Sequence, residues 1–305
     1  MYSWEKIGLI FQPNSEVWWS RTHGMIPTPE LMNNNIYKIY FSGRDDRNIS
    51  NIGYFIIDLN EPKKILDVSS EPVLYPGERG CFDDNGVTPS CIVKFKGEIY
   101  LYYIGWNPGY NIRMHLFGGL AISADNGKTF KRYSRAPIIG RNKVNPFLNT
   151  APFVLKEDDK WRMYYVSGTE WIHKDLPRYN IQYATSKDGL SWKREGIVAI
   201  DFKNEKEMAL ARPWVIKDEG IYKMWFAFKG DAAKGGSYRL GYAESEDGIE
   251  WKRMDKQVGI TVSNDGWDSE MIEYAAVIPY KEKLFMFYNG NNYGYDGIGL
   301  AVCEK

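Results

Sequence analysis

Acidic residues recur at matching places along this 305-residue chain, and they are the side chains best suited to acid–base chemistry. Asp84, Glu270 and Glu273 are the first candidates for a catalytic acid and base. Glu207 is the next candidate. Two carboxyl groups beside a glycosidic bond can cleave it, because one protonates the leaving oxygen while the other activates water or attacks the sugar. The residue types therefore predict cleavage of a glycosidic bond.

Other polar and aromatic residues are suited to holding a sugar in the same pocket. Indole rings cover the apolar face of a sugar, and amides, carboxylates and arginines bond its hydroxyl groups. The predicted substrate-binding residues are Arg21, His23, Asp83, Trp106, Asn107, Glu170, Trp171, Arg212, Trp267 and Asp268. Arg212 is expected to project into a central channel and to bind a carboxylate, phosphate or hydroxyl group of the substrate.

Each of these roles has a structural alternative. Asp83 and Asp268 both follow an aromatic residue and would also serve as loop caps. The first three catalytic candidates would also pair with Arg21 or Arg212 and hold the channel together. Glu170 would also be a solvated loop residue. The pattern of residue types alone leaves both interpretations open.

The three histidines of the chain, His23, His115 and His173, all fall in loops on the face predicted to carry the site. Their spacing matches no metal-ligand motif, so we predict neither a metal nor a cofactor. His23 is better explained as a residue that binds a hydroxyl group or lines the channel.

These residues are positioned by an internal repeat. Five aromatic segments begin at Ile39, Leu101, Met163, Met224 and Met286, at separations of 62, 62, 61 and 62 residues. Such a period indicates one supersecondary unit per repeat. Each unit contains four alternating segments, and Asp-Gly turns join the third to the fourth. The last repeat lacks its fourth segment, and Trp4 to Ile10 matches Trp192 to Val198 in spacing.

The repeat predicts an all-β protein, a five-bladed β-propeller with four-stranded blades, in which the N-terminal strand closes the last blade. It forms a single domain over residues 1–305, with repeats at approximately 12–75, 76–140, 141–200, 201–262, and 263–305 plus 1–11. Loops before the first strands and after the second strands share one face. Arg44, Lys229 and Asp231 follow second strands, so they are expected on this active face.

Composition excludes several classes of protein. The chain has 39 basic and 39 acidic residues, and this zero net charge argues against a nucleic-acid partner. No segment is apolar over the length that a membrane span needs, and no signal peptide is visible. Three unclustered cysteines indicate reduced thiols. We therefore predict a cytoplasmic protein whose partner is a carbohydrate or sugar-nucleotide small molecule; its oligomeric state is left open.

Three scaffold motifs resemble those of the five-bladed propeller glycosidases, namely the families 32, 43, 62 and 68 and the related family 130 of mannoside phosphorylases and hydrolases. They are the first strand from Pro213 to Ile216, the second strand from Arg162 to Tyr165, and the hairpin from Ala184 to Trp192. The resemblance covers the whole chain. It implies a glycosidase, although Gly24 to Pro27 lacks the carboxylate of family 43 and Glu273 lies in the fifth repeat.

The resemblance and the residues together predict a glycoside hydrolase-like enzyme that uses paired carboxylates on an intracellular or cell-envelope glycan. The first alternative is a glycoside phosphorylase or a glycosyl-transfer enzyme, since Arg21, Arg44, Arg212 and Lys229 would suit a phosphate or a sugar nucleotide. The second alternative is a sugar-binding propeller without catalytic activity. The sugar, its anomeric configuration and the stereochemical course stay open.

Overall fold

The computed structural model describes residues 1–230 and 236–304, and nearly all regular structure in that part of the chain is β-strand. The strands pair mainly with their sequence neighbours in antiparallel fashion. No helix among the described residues has the length and apolar character needed to cross a membrane. The all-β class predicted from the repeat is confirmed.

The strands follow one another in groups of antiparallel neighbours. The first group is β2 (Thr22–Asn33), β3 (Ile36–Arg44), β4 (Ser50–Asp58) and β5 (Ile65–Val68). The second is β6 (Val87–Phe95), β7 (Glu98–Pro108), β8 (Met114–Ser123) and β9 (Lys131–Arg132). The third is β10 (Asn149–Glu157), β11 (Lys160–His173), β12 (Leu176–Ser186) and β13 (Lys193–Ile200). The fourth is β14 (Ala209–Asp218), β15 (Ile221–Lys229), β16 (Tyr238–Ser245) and β17 (Lys252–Arg253).

The final group joins the two ends of the chain. It consists of β18 (Glu273–Tyr280), β19 (Lys283–Asn289), β20 (Ile298–Glu304) and the N-terminal strand β1 (Glu5–Phe11). Strand β1 pairs antiparallel with β20, and Leu9 lies opposite Gly299. The described residues also form a 3₁₀ turn (Asp255–Gln257) and one short helical segment, α1 (Asn291–Gly294). The N-terminal strand therefore completes the C-terminal sheet, as the sequence predicts.

The first strands of the groups lie side by side in a closed ring. Strand β2 contacts β6, β6 contacts β10, β10 contacts β14, β14 contacts β18, and β18 returns to β2. Because each of them leads into an antiparallel second strand, the loops before first strands and after second strands meet at one end of the ring. This arrangement brings distant parts of the chain together around the centre.

The aromatic second strands are buried on both faces because each sheet packs between two others. Tyr164 and Tyr165 are adjacent in β11, point to opposite faces and are both fully buried. The Tyr164 hydroxyl donates a hydrogen bond of 2.8 Å to the carbonyl of Gly248 in the next group of strands. Tyr102 bonds Gly189 in the same way at 2.9 Å. The repeated tyrosines thus dock each sheet onto the hairpin of the following sheet.

Those hairpins depend on the Asp-Gly turns. Asp188 Oδ1 accepts the backbone N–H groups of Leu190 and Ser191, each at 2.8 Å. Gly189 has a φ of 74°, which glycine adopts without steric cost. The N–H donors, with that of Ser191 the strongest, hold the pKa of Asp188 below its ordinary value. The carboxylate therefore shapes the turn on which the preceding sheet packs.

We predict that Asp188→Ala lowers the free energy of unfolding by about 1 kcal/mol, since two turn N–H groups lose their acceptor. Because the pKa of Asp188 is depressed, this contribution is present above the unfolded pKa of about 3.9 and is lost as the pH falls further. Urea unfolding at pH 7 measures the change. Lys187→Ala, at the exposed neighbouring position, is the control and should leave stability unchanged. Equal stability of both variants would contradict the prediction.

Candidate functional site

Buried acidic residues before the first strands bind basic residues at the outer edge of their own sheets. Asp83 is fully buried and accepts hydrogen bonds of 2.8 Å from both Arg132 Nε and the Tyr103 hydroxyl. Arg132 belongs to β9 and Tyr103 to β7. This contact fixes the loop before β6 to the second and fourth strands of its group.

The same arrangement recurs in two other groups of strands. Asp268 accepts the Lys6 ammonium at 2.6 Å and the Tyr288 hydroxyl at 3.1 Å. Glu207 accepts both terminal nitrogens of Arg253, each at 2.7 Å. The recurrence of acidic residues at matching positions is therefore explained by the scaffold. These pairings favour a structural role for all three carboxylates over the catalytic or substrate-binding roles that the sequence suggests.

Two further catalytic candidates, Asp84 and Glu270, are not fully buried. Asp84 accepts the backbone N–H of Gly80 and Asn107 Nδ2, both at 2.8 Å. Asp84 and Asn107 thereby close a loop together, which favours a structural role for both. The Glu270 side chain is exposed, and its backbone carbonyl accepts a hydrogen bond from Ser237.

The three predicted stacking residues divide into two sets. Trp267 packs against Tyr288 with ring centroids 5.1 Å apart and fills the space beside Gly299, so it belongs to the core of its sheet rather than to a pocket. Trp106 and Trp171 are half-buried and share one apolar cluster with Leu148. The structure thus brings two of the three tryptophans to the same region.

Two charged binding candidates lie at the surface. Arg21 is exposed, and its backbone N–H donates to the carbonyl of Arg44. Glu170 is exposed and pairs with Arg178 at 3.2 Å. Glu170 lies within β11 rather than in a loop, and its exposure and its pairing with Arg178 favour a solvated strand residue over the binding role.

His23 is buried at the edge of the central ring. Its Nδ1 lies 2.9 Å from Thr22 Oγ1. Burial, followed by the charge of Arg44, lowers the pKa of His23 to about 4, so the imidazole is neutral at physiological pH.

The histidines have separate partners. His115 lies 2.9 Å from a guanidinium nitrogen of Arg141, and His173 Nδ1 accepts the backbone N–H of Asp175. Across residues 1–230 and 236–304, no three or more His, Cys, Asp and Glu side chains form a group suited to holding a metal ion.

Most of the first strands bend sharply where they enter the ring. Ile26, Ala151, Arg212 and Tyr274 have φ values of 53°, 47°, 49° and 55°, which side-chain-bearing residues rarely adopt. Three of these residues precede a proline, and Tyr274 precedes an alanine. The pairing with the second strand shifts at each bend. Such strain persists only where the surrounding structure imposes it, and it often marks functional sites.

Arg212 fills the centre of the ring, as its position before Pro213 predicts. Its guanidinium donates to the Pro27 carbonyl at 2.8 Å, to Thr28 Oγ1 at 3.1 Å and to the Ala275 carbonyl at 3.3 Å. Burial lowers the pKa of Arg212 to about 9, so it stays charged at neutral pH. These contacts join β14 to β2 and β18, and they favour a structural role over substrate binding.

Glu273 is the fully buried acidic candidate that the structure leaves without a basic partner at bonding distance. It begins β18 and is fully buried. Among residues 1–230 and 236–304, neither carboxylate oxygen has a partner in hydrogen-bonding geometry. Burial raises the pKa of Glu273 well above its ordinary value, and the nearby Tyr274 hydroxyl and Lys229 ammonium offset this only in part. Burial therefore favours the protonated, uncharged form of the Glu273 carboxyl group.

Four tyrosines surround this acid. The hydroxyls of Tyr179 and Tyr238 are 2.5 Å apart. The ring of Tyr238 lies 6.2 Å from that of Tyr274 and 6.3 Å from that of Tyr293. Burial raises the pKa of all four hydroxyls, and proximity to Glu273 raises each further.

Three basic residues, Arg44, Arg113 and Lys229, complete this region. We call the whole region the central site: Glu273, Tyr179, Tyr238, Tyr274, Tyr293, Arg44, Arg113 and Lys229. Burial lowers the pKa of Arg44, and the charge of Arg113 lowers it further. In the described part of the chain, no ion pair involves either arginine or Lys229. Asp231, which the sequence places on the same face, lies outside the described residues. The site thus holds a buried acid beside basic groups that have no acidic partner among the described residues.

Sequence reasoning found part of the central site. Glu273, Arg44 and Lys229 were expected on this face, whereas Arg113 and the four tyrosines were missed. One signal was present: Tyr274 lies 12 residues before Met286, as Arg212 does before Met224. The other tyrosines lie in strands and turns whose side-chain directions only the folded ring defines.

Comparison with known proteins identifies relatives of this chain. No protein-family model matches the chain. The chain is 42% identical over 305 residues to the uncharacterized protein Rv1502 of Mycobacterium tuberculosis (strain ATCC 25618 / H37Rv), covering 99% of this chain and 100% of that protein. It is also 27% identical over 129 residues to a 1,2-beta-oligomannan phosphorylase of Thermoanaerobacter sp. (strain X514), covering 40% of this chain and 43% of that enzyme.

Solved structures share the fold. A glycoside hydrolase superposes with a TM-score of 0.75 at 20% identity, covering 97% of this chain and 90% of its own. A thermostable family-43 glycoside hydrolase gives 0.67 at 20% identity, with coverages of 92% and 88%. A structure described with the GH130 mannoside phosphorylases and hydrolases that target β-1,2 linkages in Candida mannan gives 0.70 at 16% identity, with coverages of 96% and 90%. The fold is that of a glycoside hydrolase-like propeller, as the motifs implied.

We predict that Glu207→Ala lowers the free energy of unfolding by about 2 kcal/mol, because the Arg253 guanidinium loses both hydrogen bonds to Glu207 and keeps only Asp255 as an acidic partner. Glu270→Ala, which removes an exposed carboxylate, should change it by less than about 0.5 kcal/mol. Urea unfolding monitored by tryptophan fluorescence measures both variants. An unchanged stability of the Glu207 variant would reject the structural role.

Proposed function

This chain belongs to the protein family of Rv1502 from Mycobacterium tuberculosis, and we propose that it is a carbohydrate-active enzyme that breaks a glycosidic bond. The observation that carries the proposal is Glu273, a fully buried carboxyl group that lies among tyrosines and whose pKa is raised by burial. An acid whose pKa is raised by burial can donate its proton to a leaving oxygen at neutral pH. The glycoside hydrolase-like fold supports this chemistry.

We also infer that the groups of strands are the five blades of the propeller that the repeat predicts. The closed ring of first strands supports this count, as does the pairing of β1 with β20. In this architecture the central site lies where loops of different blades converge on the axis. A substrate there would contact residues from several repeats at once.

The nucleophile that best fits the site is inorganic phosphate. Hydrolysis by paired carboxylates needs a second carboxylate near the acid. The other buried acidic candidates, Asp83, Asp268 and Glu207, bind basic residues of their own sheets. Arg44, Arg113 and Lys229 instead supply positive charge without acidic partners among the described residues, and such charge suits a phosphate anion. A phosphorolytic enzyme needs only the proton donor, since phosphate replaces the activated water.

The proposed reaction breaks one bond and forms another. An oxygen of phosphate attacks the anomeric carbon, the bond from that carbon to the glycosidic oxygen breaks, and the leaving oxygen takes the proton of Glu273. The products are a sugar 1-phosphate and a shortened saccharide. Because Glu273 has no exposed surface, either the proton passes through the Tyr274 hydroxyl or the tyrosine rings shift when substrate binds.

The substrate class that we propose is a β-mannoside. Support comes from the names of relatives, a 1,2-beta-oligomannan phosphorylase and a beta-1,2-mannobiose phosphorylase of Thermoanaerobacter sp. (strain X514). Consumption of phosphate also suits the predicted cytoplasmic location. Hydrolysis remains the second candidate function, favoured by the glycoside hydrolases among the structural neighbours.

We predict that Glu273→Gln reduces cleavage of β-1,2-mannobiose by about 100-fold or more, because glutamine keeps the shape of the side chain but cannot donate the acidic proton. Release of mannose 1-phosphate and mannose measures turnover. Glu270→Gln, three residues away and exposed, should keep wild-type activity. Equal activity of the Glu273 variant would remove this residue from the reaction.

The pH dependence gives a separate prediction. Burial places the pKa of Glu273 in the folded protein above its unfolded value of about 4.3. The wild type therefore loses stability relative to Glu273→Gln as the pH rises above the unfolded pKa and through the folded pKa. Activity should fall over the same pH range, because the acid loses its proton there. Urea unfolding from pH 5 to pH 9 checks the first expectation. A stability difference that does not change with pH would contradict it.

We predict that cleavage requires inorganic phosphate and that Arg113→Gln raises the KM for phosphate by about tenfold, because one charged hydrogen-bonding group is lost. Lys187→Gln removes a positive charge from an exposed hairpin at the opposite end of the strands and should leave this KM unchanged. Phosphate-independent cleavage would establish a hydrolase instead. Tight binding of the saccharide without turnover would establish a sugar-binding protein.

A further inference from the structure

A strained turn carries one of the tyrosines of the central site. In α1, Asn292, Tyr293 and Gly294 have consecutive φ values of 53°, 61° and 78°. Asparagine and glycine tolerate this left-handed conformation, but tyrosine pays a steric cost for it. A bulky residue at such a position is therefore retained for a reason other than local backbone preference.

The side chains of Asn289 and Asn291, which precede Tyr293 in the chain, hold the turn in place. Asn289 Nδ2 donates to the carbonyls of Gly24 at 2.6 Å and Gly297 at 2.8 Å. Asn291 Oδ1 accepts the backbone N–H groups of Glu270 and Met271 at 2.8 and 3.0 Å. These bonds tie the turn to β2 and to the segment before β18. The surrounding structure thus imposes the strained conformation.

Close packing also prevents the turn from relaxing. A Cβ atom on Gly294 would lie 2.4 Å from Asn289 Nδ2, so only glycine fits there. Asn289 Oδ1 in turn accepts the N–H of Ile26, itself a residue with positive φ at the ring entrance. The strained turn and the bend of β2 therefore share one buried amide.

The turn places the Tyr293 ring in the central site, against the ring of Tyr238. The ring meets that of Tyr238 edge to face, with centroids 6.3 Å apart and planes at 72°. Burial raises the pKa of the Tyr293 hydroxyl and the nearby Glu273 raises it further, whereas the charges of Arg113 and Arg44 lower it. The side chain is nevertheless 39% exposed, whereas Glu273 has no exposed surface. Tyr293 is thus an accessible group beside the proton donor.

We propose that Tyr293 is a substrate-binding residue whose ring contacts the sugar at the scissile bond, and that the strained turn exists to hold this ring over Glu273. The inference rests on the proposed function, since it names a contact of that same site. An aromatic ring covers the apolar face of a sugar, and its hydroxyl bonds the sugar's polar edge. The fixed turn lowers the entropy lost on binding, because the ring is already positioned.

The test compares Tyr293→Gly, Tyr293→Phe and Tyr295→Ala. Tyr293→Gly should raise the KM for β-1,2-mannobiose by about tenfold or more and should not lower the midpoint of thermal unfolding, because glycine relieves the strain. Tyr293→Phe keeps the ring and should retain most of the affinity. Tyr295→Ala removes a tyrosine of the same chain segment that is 49% exposed, and it should keep the wild-type KM.

Two results overturn the inference: an unchanged KM for Tyr293→Gly, whatever its unfolding midpoint, or an equal rise in KM for Tyr295→Ala. Calorimetric titration with β-1,2-mannobiose separates this inference from the proposed reaction. If the wild type binds the disaccharide without cleaving it and Tyr293→Gly loses that binding, the contact stands and the proposed reaction fails. If the wild type neither cleaves nor binds it, both are overturned.

Discussion

Pairing of the N-terminal strand β1 with β20 is the interaction on which the rest of the structure depends. Without β1, the edge of β20 would expose a row of unpaired backbone donors and acceptors, and the N-terminal segment would not be fixed to the last group of strands. Closure also lets every aromatic second strand pack between two neighbours, as the buried Tyr164 and Tyr165 do. The first strands then converge, and loops from distant parts of the chain share one centre.

That centre holds two buried ionisable residues, Arg212 and Glu273, whose surroundings differ. Arg212 donates to two backbone carbonyls and a threonine hydroxyl of neighbouring strands, so it keeps its charge and joins the ring. Neither carboxylate oxygen of Glu273 has a partner in hydrogen-bonding geometry among the described residues, and burial raises the pKa of this acid well above its ordinary value. An unpartnered buried acid costs stability, which selection tolerates where the acid has a chemical task. The contrast separates the residue that supports the site from the one proposed to act in it.

The matched acids show how repetition misleads a search for catalytic residues. Asp83 and Asp268 lie at equivalent positions, and that equivalence made them and their neighbours attractive candidates. In the structure each binds a basic residue of its own sheet, because every repeat must fix the same loop to the same outer strand. Features shared by repeats serve the scaffold, whereas a reaction centre on the axis needs residues that differ between repeats. Glu273 and Tyr293 are of this second kind.

The sequence by itself determined the strand repeat, the Asp-Gly hairpins and the return of the N-terminal strand to the last sheet. Those features follow from local alternation and turn chemistry, which a period of about 61 residues displays repeatedly. Only the tertiary structure decided which acid is left without a partner and which tyrosines surround it. Burial, pKa and the direction of a side chain such as Tyr293 arise from contacts between distant segments, and no local pattern encodes those contacts.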